Sequence, residues 1–539
     1  QELCSASRSD NARLWVMLRR SNNWGTKVNT FQDCGDVNDI NKYFASIATD
    51  DNYNKAKLFG ELQRQTNDPS ATSAATACYT ADEIAIYLSQ INKTTTGSDE
   101  LPFWVLKECA FQLDNILAKL TNFTINEGVV PLVWKHAVIK PLPKVNPPAG
   151  PSDLRPIAIT PVLSRFTERL VVRDFLLRHV SYSSMSDQYA YKATGNTTCA
   201  IIDITQTVGQ LLETNKYVRC IMLDFTKAFD TVDHYILLQK LEQYHLPCNI
   251  LNWLVSFLTD RSQTTNIHGI LSIIARINRS ILQGSVIGPY FFLTYIGDLK
   301  ACGVSNVIIK FADDSTLLVP ENSDVSAELE IQHIRHWASQ NKLSLNLNKT
   351  KELVFKRPNI DLEIIPNTIN SIERLQCAKL LGVFMDSKLS FVHHVEFLIR
   401  VCSQRFYLLQ QMRKQGLTDD CLHVVFNSII YNRILYALSA WGGYLSRDST
   451  NRLDAIFKKA VRWKLTEDSH SIDQLLKQCD FKLFNQCLHP NHCLHHVFIY
   501  NNRPSQFYLR PRGHLFELPR YKYDLTRKSF VMRTLYDFL

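Results

Sequence analysis

The 539-residue sequence is notable first for what is missing. None of its fourteen cysteines forms a Cys-x-x-Cys pair and no secretory signal opens the chain. A disulfide framework is therefore not expected, and the cysteines read as reduced thiols of an intracellular protein. Asn-x-Ser/Thr triplets such as Asn196–Thr198 accordingly carry little meaning as glycosylation signals. No apolar run reaches the roughly eighteen residues that a bilayer span needs, so no membrane partner is expected. Internal repeats and low-complexity blocks are also lacking, which leaves no case for a solenoid or a long disordered linker. The sequence opens on Gln1 and not on Met, so a fragment of a longer product is expected.

Strong charge is lacking as well. Lys and Arg number 60 against 51 Asp and Glu, for a pI near 8.8, which suits a polyanionic partner without requiring one. The excess is uneven: the first hundred residues are acidic, whereas residues 440–539 hold 16 basic against 9 acidic side chains. With 45% hydrophobic residues the chain can bury several sizeable cores.

Residues 1–75 are polar and read as a loosely organised extension with short helices. From Thr80 the pattern is helical, with a Thr80 cap backed by Glu83 and helical spacing on to Gly128. "HAVIKPLPK" reads as a strand, and between Val218 and Leu347 strands and helices alternate. "VRCIMLDF" is a buried strand, and "RSQTTNIHG" with "IARINRSIL" is a strand pair. A helix capped by Asp324 or Ser323 sets Ala327, Ile331, Ile334 and Ala338 on one face. After Leu389 the chain is mainly helical to about Thr466. This is an α+β pattern of hairpins backed by helices.

Chemistry concentrates at "IIKFADDSTLLV", residues 308–319. Two apolar strand-like runs meet at Asp313 and Asp314 with no glycine in the turn. Asp solvates turns readily, so ordinary turn chemistry is one reading. The other is that adjacent like charges call for a cation between them. "CIMLDFTKAFDTVDH" delivers Asp224 at the end of a strand 89 residues earlier. One carboxylate on a strand end and two on a hairpin would suit a pair of Mg²⁺ ions roughly 3.5–4 Å apart.

In that order, "LDFTKAFDTVDH", "LQGSVIGPYFFLTYIGDL", "FADD" and "LSLNLNKTKELVF" resemble palm motifs A to D of reverse transcriptases. "WKHAVIKPLPK" and "SDLRPIAITPVLSRFTERLV" resemble the fingers motifs. "KLLGVFMDSKLSF", "YNRILYALSAWGG" and "LPRYKYDLTRKSF" narrow the resemblance to polymerases of non-LTR (LINE-type) retrotransposons, without their endonuclease domain. The resemblance implies a right-hand polymerase with fingers, an antiparallel-sheet palm and a helical thumb. Its expected divisions are an extension at 1–75, fingers at 76–165, palm at 166–388, thumb at 389–470 and a basic Cys/His-containing segment at 471–539.

By the same resemblance Asp224 and Asp313 are the main metal ligands, with Asp314 more peripheral, for two Mg²⁺ or alternatively Mn²⁺. Phe229 matches the aromatic gate that excludes a ribose 2′-hydroxyl, although by position alone a core aromatic is the commoner reading. Lys144 and Arg155 match residues that grip the triphosphate. Gln283 and Gly284 match the motif B turn, where a small residue lets the backbone approach nucleotide and template. Lys349 matches a candidate proton donor to pyrophosphate, or is an exposed lysine. Asp230 and Asp233 read as local supports. Phe311 and Leu282 depart from the Tyr and Pro that many relatives carry, without removing a charge.

The implied function is RNA-directed DNA synthesis, copying retrotransposon RNA into cDNA by target-primed synthesis. Template RNA, primer DNA, dNTPs and target DNA are the implied partners, and the nucleus or a cytoplasmic ribonucleoprotein the implied location. An RNA-directed RNA polymerase would also satisfy Asp224-x5-Asp230, and a catalytically decayed RNA-binding copy would keep the same fold. In the last segment Cys479, Cys487, Cys493, His489, His492, His495 and His496 cluster, but their spacing fits no ordinary zinc knuckle and zinc is not expected there.

Overall fold

The computed structural model describes residues 34–67, 73–179, 185–357, 365–369, 371–498 and 516–539. Its strands in chain order are β1 (His136–Pro143), β2 (Leu154–Ile159), β3 (Tyr217–Leu223), β4 (Arg261–Ile267), β5 (Ile270–Leu271) and β6 (Ala275–Ile277). They continue with β7 (Val307–Phe311), β8 (Asp314–Pro320), β9 (Lys351–Lys356), β10 (Glu373–Leu375), β11 (Cys377–Leu380) and β12 (Val383–Asp386).

The central sheet runs β10-β9-β3-β8-β7. β3 lies antiparallel between β8 and β9, and β7 and β8 form the expected hairpin. Because both faces are covered, β3 and β8 are buried almost throughout instead of alternating between buried and exposed. Val218, Cys220, Ile309 and Leu318 pack with Ile201, Ile204 and Val208 of the helix Thr197–Thr214. On the opposite face Ile221, Leu317 and Val319 join Phe292 of the helix Gly288–Ile296 and Ile331 and Ile334 of the helix Ala327–Gln340. The buried charges are paired: Glu352 on β9 receives Arg219 of β3 and Arg374 of β10, so charge desolvated in the sheet is neutralised there.

A second sheet has the order β2-β1-β4-β5, with β6 on the other side of β4. β4 and β6 are the expected strand pair, and β4 runs parallel to β1 from His136↔Ser262 to Ile139↔Thr265. Sequence expected in the palm thus completes a sheet begun by strands expected in the fingers. Onto β4 and the loop after it packs the helix Val37–Ile47, through Asn41. This buried side chain donates to the Ile273 carbonyl and accepts from Gln263 and Thr265. That corrects the expectation of a loose extension: residues 34–67 form two capped helices, the first closed by an Asp36–Asp39 capping box, and amphipathic burial orders them. Residues 1–33 and 68–72 of the expected extension lie outside the described residues.

The Thr80 capping box stands as expected, and the helix Ala327–Gln340 buries its expected face. Its cap is instead Ser326, whose hydroxyl accepts the Leu329 N–H, because the chain stays extended through that residue. Asp324 turns away to accept the N–H groups of Val304 and Ser305.

Among the described residues, the elements beyond β12 are all helices. One segment among the described residues, Asp419–Tyr444, is long and apolar enough to cross a membrane by length and composition, with a mean hydropathy of 1.2. It is not one continuous helix. Ala437 breaks it at φ +54°, and Leu422, Phe426, Ile430, Ile434 and Trp441 point into the core shared with the helices Val392–Lys414 and Arg447–Arg462.

His394, in the first turn of the helix Val392–Lys414, is locked in this core. Its ring meets Trp441 edge-on at 4.9 Å, Nδ1 accepts the Phe384 N–H at 3.4 Å, and Nε2 is buried without a partner. Burial first, then the Arg433 and Lys379 charges, push its pKa down to about 4. Between that value and 6.5 the unfolded chain binds a proton that the folded chain refuses, so stability is complete above the window and falls as pH drops through it. The loss due to His394 is on the order of 2–3 kcal/mol. His394→Asn abolishes this titration. The gap in urea midpoint between wild type and variant is therefore expected to narrow from pH 7 to pH 4.5, and a constant gap would refute the assignment.

Candidate active site

The site begins with strand register. β3 and β8 pair from Val218↔Pro320 to Leu223↔Ser315, and β7 and β8 pair as far as Phe311↔Asp314. Carrying the β3–β8 register one residue further sets Asp224 opposite Asp314, at the mouth of the β7–β8 hairpin. Ala312 and Asp313 form its two-residue turn. Ala312 takes φ +56°, a conformation that a hairpin turn ordinarily gives to glycine, so the tip is held by its surroundings and not by its own preference.

Gln188 supplies that hold. Its Oε1 accepts the N–H of Ala312 at 3.0 Å and of Ala190 at 2.9 Å, while the Tyr189 N–H donates to the Lys310 carbonyl at 2.9 Å. Lys310 is fully buried beneath the tip, pairs with Asp187 at 3.1 Å and donates to the carbonyls of Ile296, Gly297 and Leu299.

The three carboxylates act on one another. Burial, opposed by the Lys349 charge, raises the Asp224 pKa. Asp313 is raised by burial and by Asp224, with Arg155 pulling the other way. Asp314 is raised to about 6 by burial, then by Asp313 and Asp224. Asp313 and Asp314 keep one side open to solvent, so the cluster lines a cleft that a ligand can enter while the protein behind it withholds water. Asp224 is further fixed by its backbone, whose carbonyl accepts the Asn346 N–H at 2.8 Å.

Cations ring this acidic floor. Lys349 acts on Asp224 and Arg155 on Asp313, and Lys144 senses Asp230, Arg155, Lys349 and Lys227. Lys144 lies in the loop between β1 and β2, its N–H bonded to the Asp153 carbonyl and its Nζ to the Ser152 carbonyl. Partial burial and the neighbouring cations lower its pKa. The residues nominated from four separated sequence segments therefore share one electrostatic neighbourhood.

Gln283 and Gly284 close the site on the side of the second sheet. Gln283 Nε2 donates to Asp230 at 2.6 Å, and its carbonyl accepts the Ala158 N–H at 2.7 Å. Gly284 sits at φ +119°, and a Cβ there would lie 2.5 Å from the Ala158 carbonyl oxygen. Glycine is thus demanded by the approach of β2, an origin for the motif that the sequence alone did not suggest. Phe229 stacks on Phe292 with centroids 4.1 Å apart, so its ring orientation is set by the core that it joins. Asp233 is a support, as expected: it caps the helix His234–Leu241 and pairs with Lys342 at 2.6 Å.

Sequence reasoning missed Gln188, Lys310, Lys227 and Tyr191. Lys227, at φ +49°, reaches Tyr43 at 2.9 Å and so ties the site to the N-terminal helices. Tyr191 lies close enough to Asp313 for that charge, after burial, to raise its phenol pKa. Lys310 and Lys227 could have been flagged as lysines within apolar motifs, whereas "DQYAYK" carries no periodic signal. Of the C-terminal cluster, His492 and Cys493 converge, and they do so on Cys199, far away in sequence.

Residues 142–386 match the family described as "Reverse transcriptase (RNA-dependent DNA polymerase)". Across 83% of its length the chain is 26% identical to the "Probable RNA-directed DNA polymerase from transposon X-element" of Drosophila melanogaster, covering 49% of that protein. It is 24% identical across 76% of its length to the "RNA-directed DNA polymerase from mobile element jockey" of the same species, covering 46% of it. The chain thus spans about half the length of the curated relatives it matches. Among solved structures, apo telomerase from Candida tropicalis aligns over 68% of this chain and 70% of its own, with a TM-score of 0.35 and 12% identity. Residues 142–386 are a reverse transcriptase domain, and the chain carrying them is related to the RNA-directed DNA polymerases of non-LTR retrotransposable elements.

Proposed function

We propose that this chain synthesises DNA on an RNA template, copying retrotransposon RNA into cDNA from a DNA primer, in the nucleus and at a target site that supplies the primer. The observation that carries this reading is the convergence of Asp224, Asp313 and Asp314 beneath Arg155 and Lys349. An all-oxygen, mutually repelling donor set fits hard divalent cations. Asp224 and Asp313 would hold two Mg²⁺, with Asp314 at the periphery. Bound there, the ions would activate the primer 3′-hydroxyl and stabilise the leaving oxygen.

The chain's own residues do the rest. Arg155 and Lys144 grip the triphosphate as guanidinium and ammonium donors, and Lys349 is placed to give a proton to pyrophosphate. Phe229 bars a 2′-hydroxyl with a ring that stacking on Phe292 prevents from swinging aside. Gln283 holds Asp230, which keeps the second sheet in register with the acidic floor.

Asp224→Asn and Asp313→Asn are each expected to lower dNTP incorporation on a primed RNA template with Mg²⁺ by roughly 10³-fold or more, about 4 kcal/mol of transition-state stabilisation. In metal-free buffer Asp313→Asn should melt at or above the wild-type temperature, because it removes repulsion that the fold otherwise bears. Unchanged extension by either variant would defeat the catalytic reading and leave a decayed, RNA-binding protein.

Phe229→Ala is expected to cut the preference for dNTP over rNTP by about tenfold or more. A wild-type preference for rNTPs in the same assay would overturn the gate.

A further inference from the structure

Away from the polymerase cleft, three side chains from two distant parts of the chain meet beneath the surface. Cys199 lies in the first turn of the helix Thr197–Thr214 and is fully buried; His492 and Cys493 lie in the turn after the helix Ile472–Cys487. The sulfurs and an imidazole nitrogen all fall within 4.8 Å of one another. Both sulfurs turn toward a single acceptor, the Thr194 carbonyl, at 3.7 Å from Cys199 and 3.2 Å from Cys493. The backbone is already fixed around them. Asn196 caps the helix by accepting the Cys199 N–H at 2.9 Å, and the Cys493 N–H donates to Thr194 Oγ1 at 3.0 Å.

We propose that Cys199, His492 and Cys493 bind one Zn²⁺, with water completing its coordination, and that the ion fastens the C-terminal segment to the loop beside the catalytic hairpin. A tetrahedral zinc with bonds of about 2.3 Å to sulfur and 2.0 Å to nitrogen keeps its ligand atoms about 3.5–3.8 Å apart. A contraction of about 1 Å therefore suffices to close the cluster. Soft sulfur with imidazole selects zinc over the magnesium that suits the carboxylate cleft. Binding replaces the two thiol protons, which leave to solvent, by two Zn–S bonds, and adds one Zn–N bond to His492; no electron is transferred. Without an ion, the neighbouring Cys493 and burial hold the Cys199 thiol protonated, and a coordinated zinc would draw that proton off.

The consequence for the fold follows from connectivity. Thr194 is two residues from Lys192 and six from Gln188, which holds the Ala312 turn. A crosslink at Cys199 thus anchors, from the rear, the segment that positions Asp313. His489, His495 and His496 stand apart from the three-residue cluster: His495 Nδ1 contacts the Cys487 carbonyl at 2.9 Å, and His496 lies 3.9 Å from Asp203. The site is therefore not the consecutive knuckle that the C-terminal spacing failed to match, which is why reading that segment alone gave no zinc.

The full chain, purified with Zn²⁺ present and desalted, is expected to retain about one zinc per molecule by elemental mass spectrometry. X-ray absorption at the zinc edge should show two sulfur neighbours, with nitrogen and oxygen completing the first shell. Cys199→Ser, Cys493→Ser and His492→Ala should each drop retained zinc to about one-tenth or less, while Cys302→Ser, outside the cluster, retains it. The absorption spectrum of the unaltered protein decides the question even where a variant fails to fold. Absence of retained zinc in the wild type, an oxygen-only shell, zinc retained by Cys199→Ser, or a Cys199–Cys493 disulfide in the purified protein would each overturn the proposal.

Discussion

Everything in the cleft is arranged around a repulsion. Asp224, Asp313 and Asp314 are forced together by strand register, and each carries a pKa raised by burial and, for the hairpin pair, by its neighbours. Nothing local favours such a cluster. The sheet imposes it: β3 is clamped between β8 and β9, apolar packing covers both faces, and Glu352 with two arginines locks β9 to its neighbours. Burial of those faces, at about 25 cal/mol per Å², outweighs the repulsion of a few charges at a strand end. The sheet thereby stores a demand for positive charge at one edge, and the ring of Arg155, Lys349 and Lys144 meets only part of it.

That cationic ring depends on the second sheet. Lys144 and Arg155 belong to the β1–β2 hairpin, whose distance from the acidic floor is set by two contacts of motif B: the Ala158–Gln283 backbone bond and the close passage of Gly284 over the Ala158 carbonyl. Gln283 then reaches Asp230 behind Phe229. One short loop thus couples the hairpin that would hold a triphosphate to the strand carrying Asp224, and a side chain at position 284 would push the two apart. The β1–β4 pairing adds a backbone ladder to the same junction.

The chemistry was more legible in the sequence than the supports. Asp224, Asp313, Lys144, Arg155 and Lys349 fall in short segments whose strand or loop character is visible locally, and register then brings them together. What stayed hidden rests on long-range contact. Gln188 and Lys310 serve the hairpin from beneath, Asn41 joins a segment read as loose to strands more than 200 residues away, and Gly284 answers to Ala158. Ser326 as the cap, two residues beyond Asp324 and three beyond Ser323, shows the ordinary limit of locating a helix start from composition.

The basic tail illustrates the same limit from the side of charge. Its excess suggested a surface for a polyanion, yet several of these cations are already engaged within the protein. Arg533 pairs with buried Asp480 and donates to the Ser439 carbonyl, and Arg527 and Lys528 pair with Asp524. Backbone N–H groups of Lys522 and Tyr523 donate to Glu213 at the end of the helix Thr197–Thr214. This helix therefore receives the C-terminal part of the chain at both ends, through Glu213 at one and Cys199 at the other, while its middle packs under β3 and β8. The basic C-terminal segment is, by contact, a brace on the rear face of the central sheet, and part of its positive charge holds that brace closed.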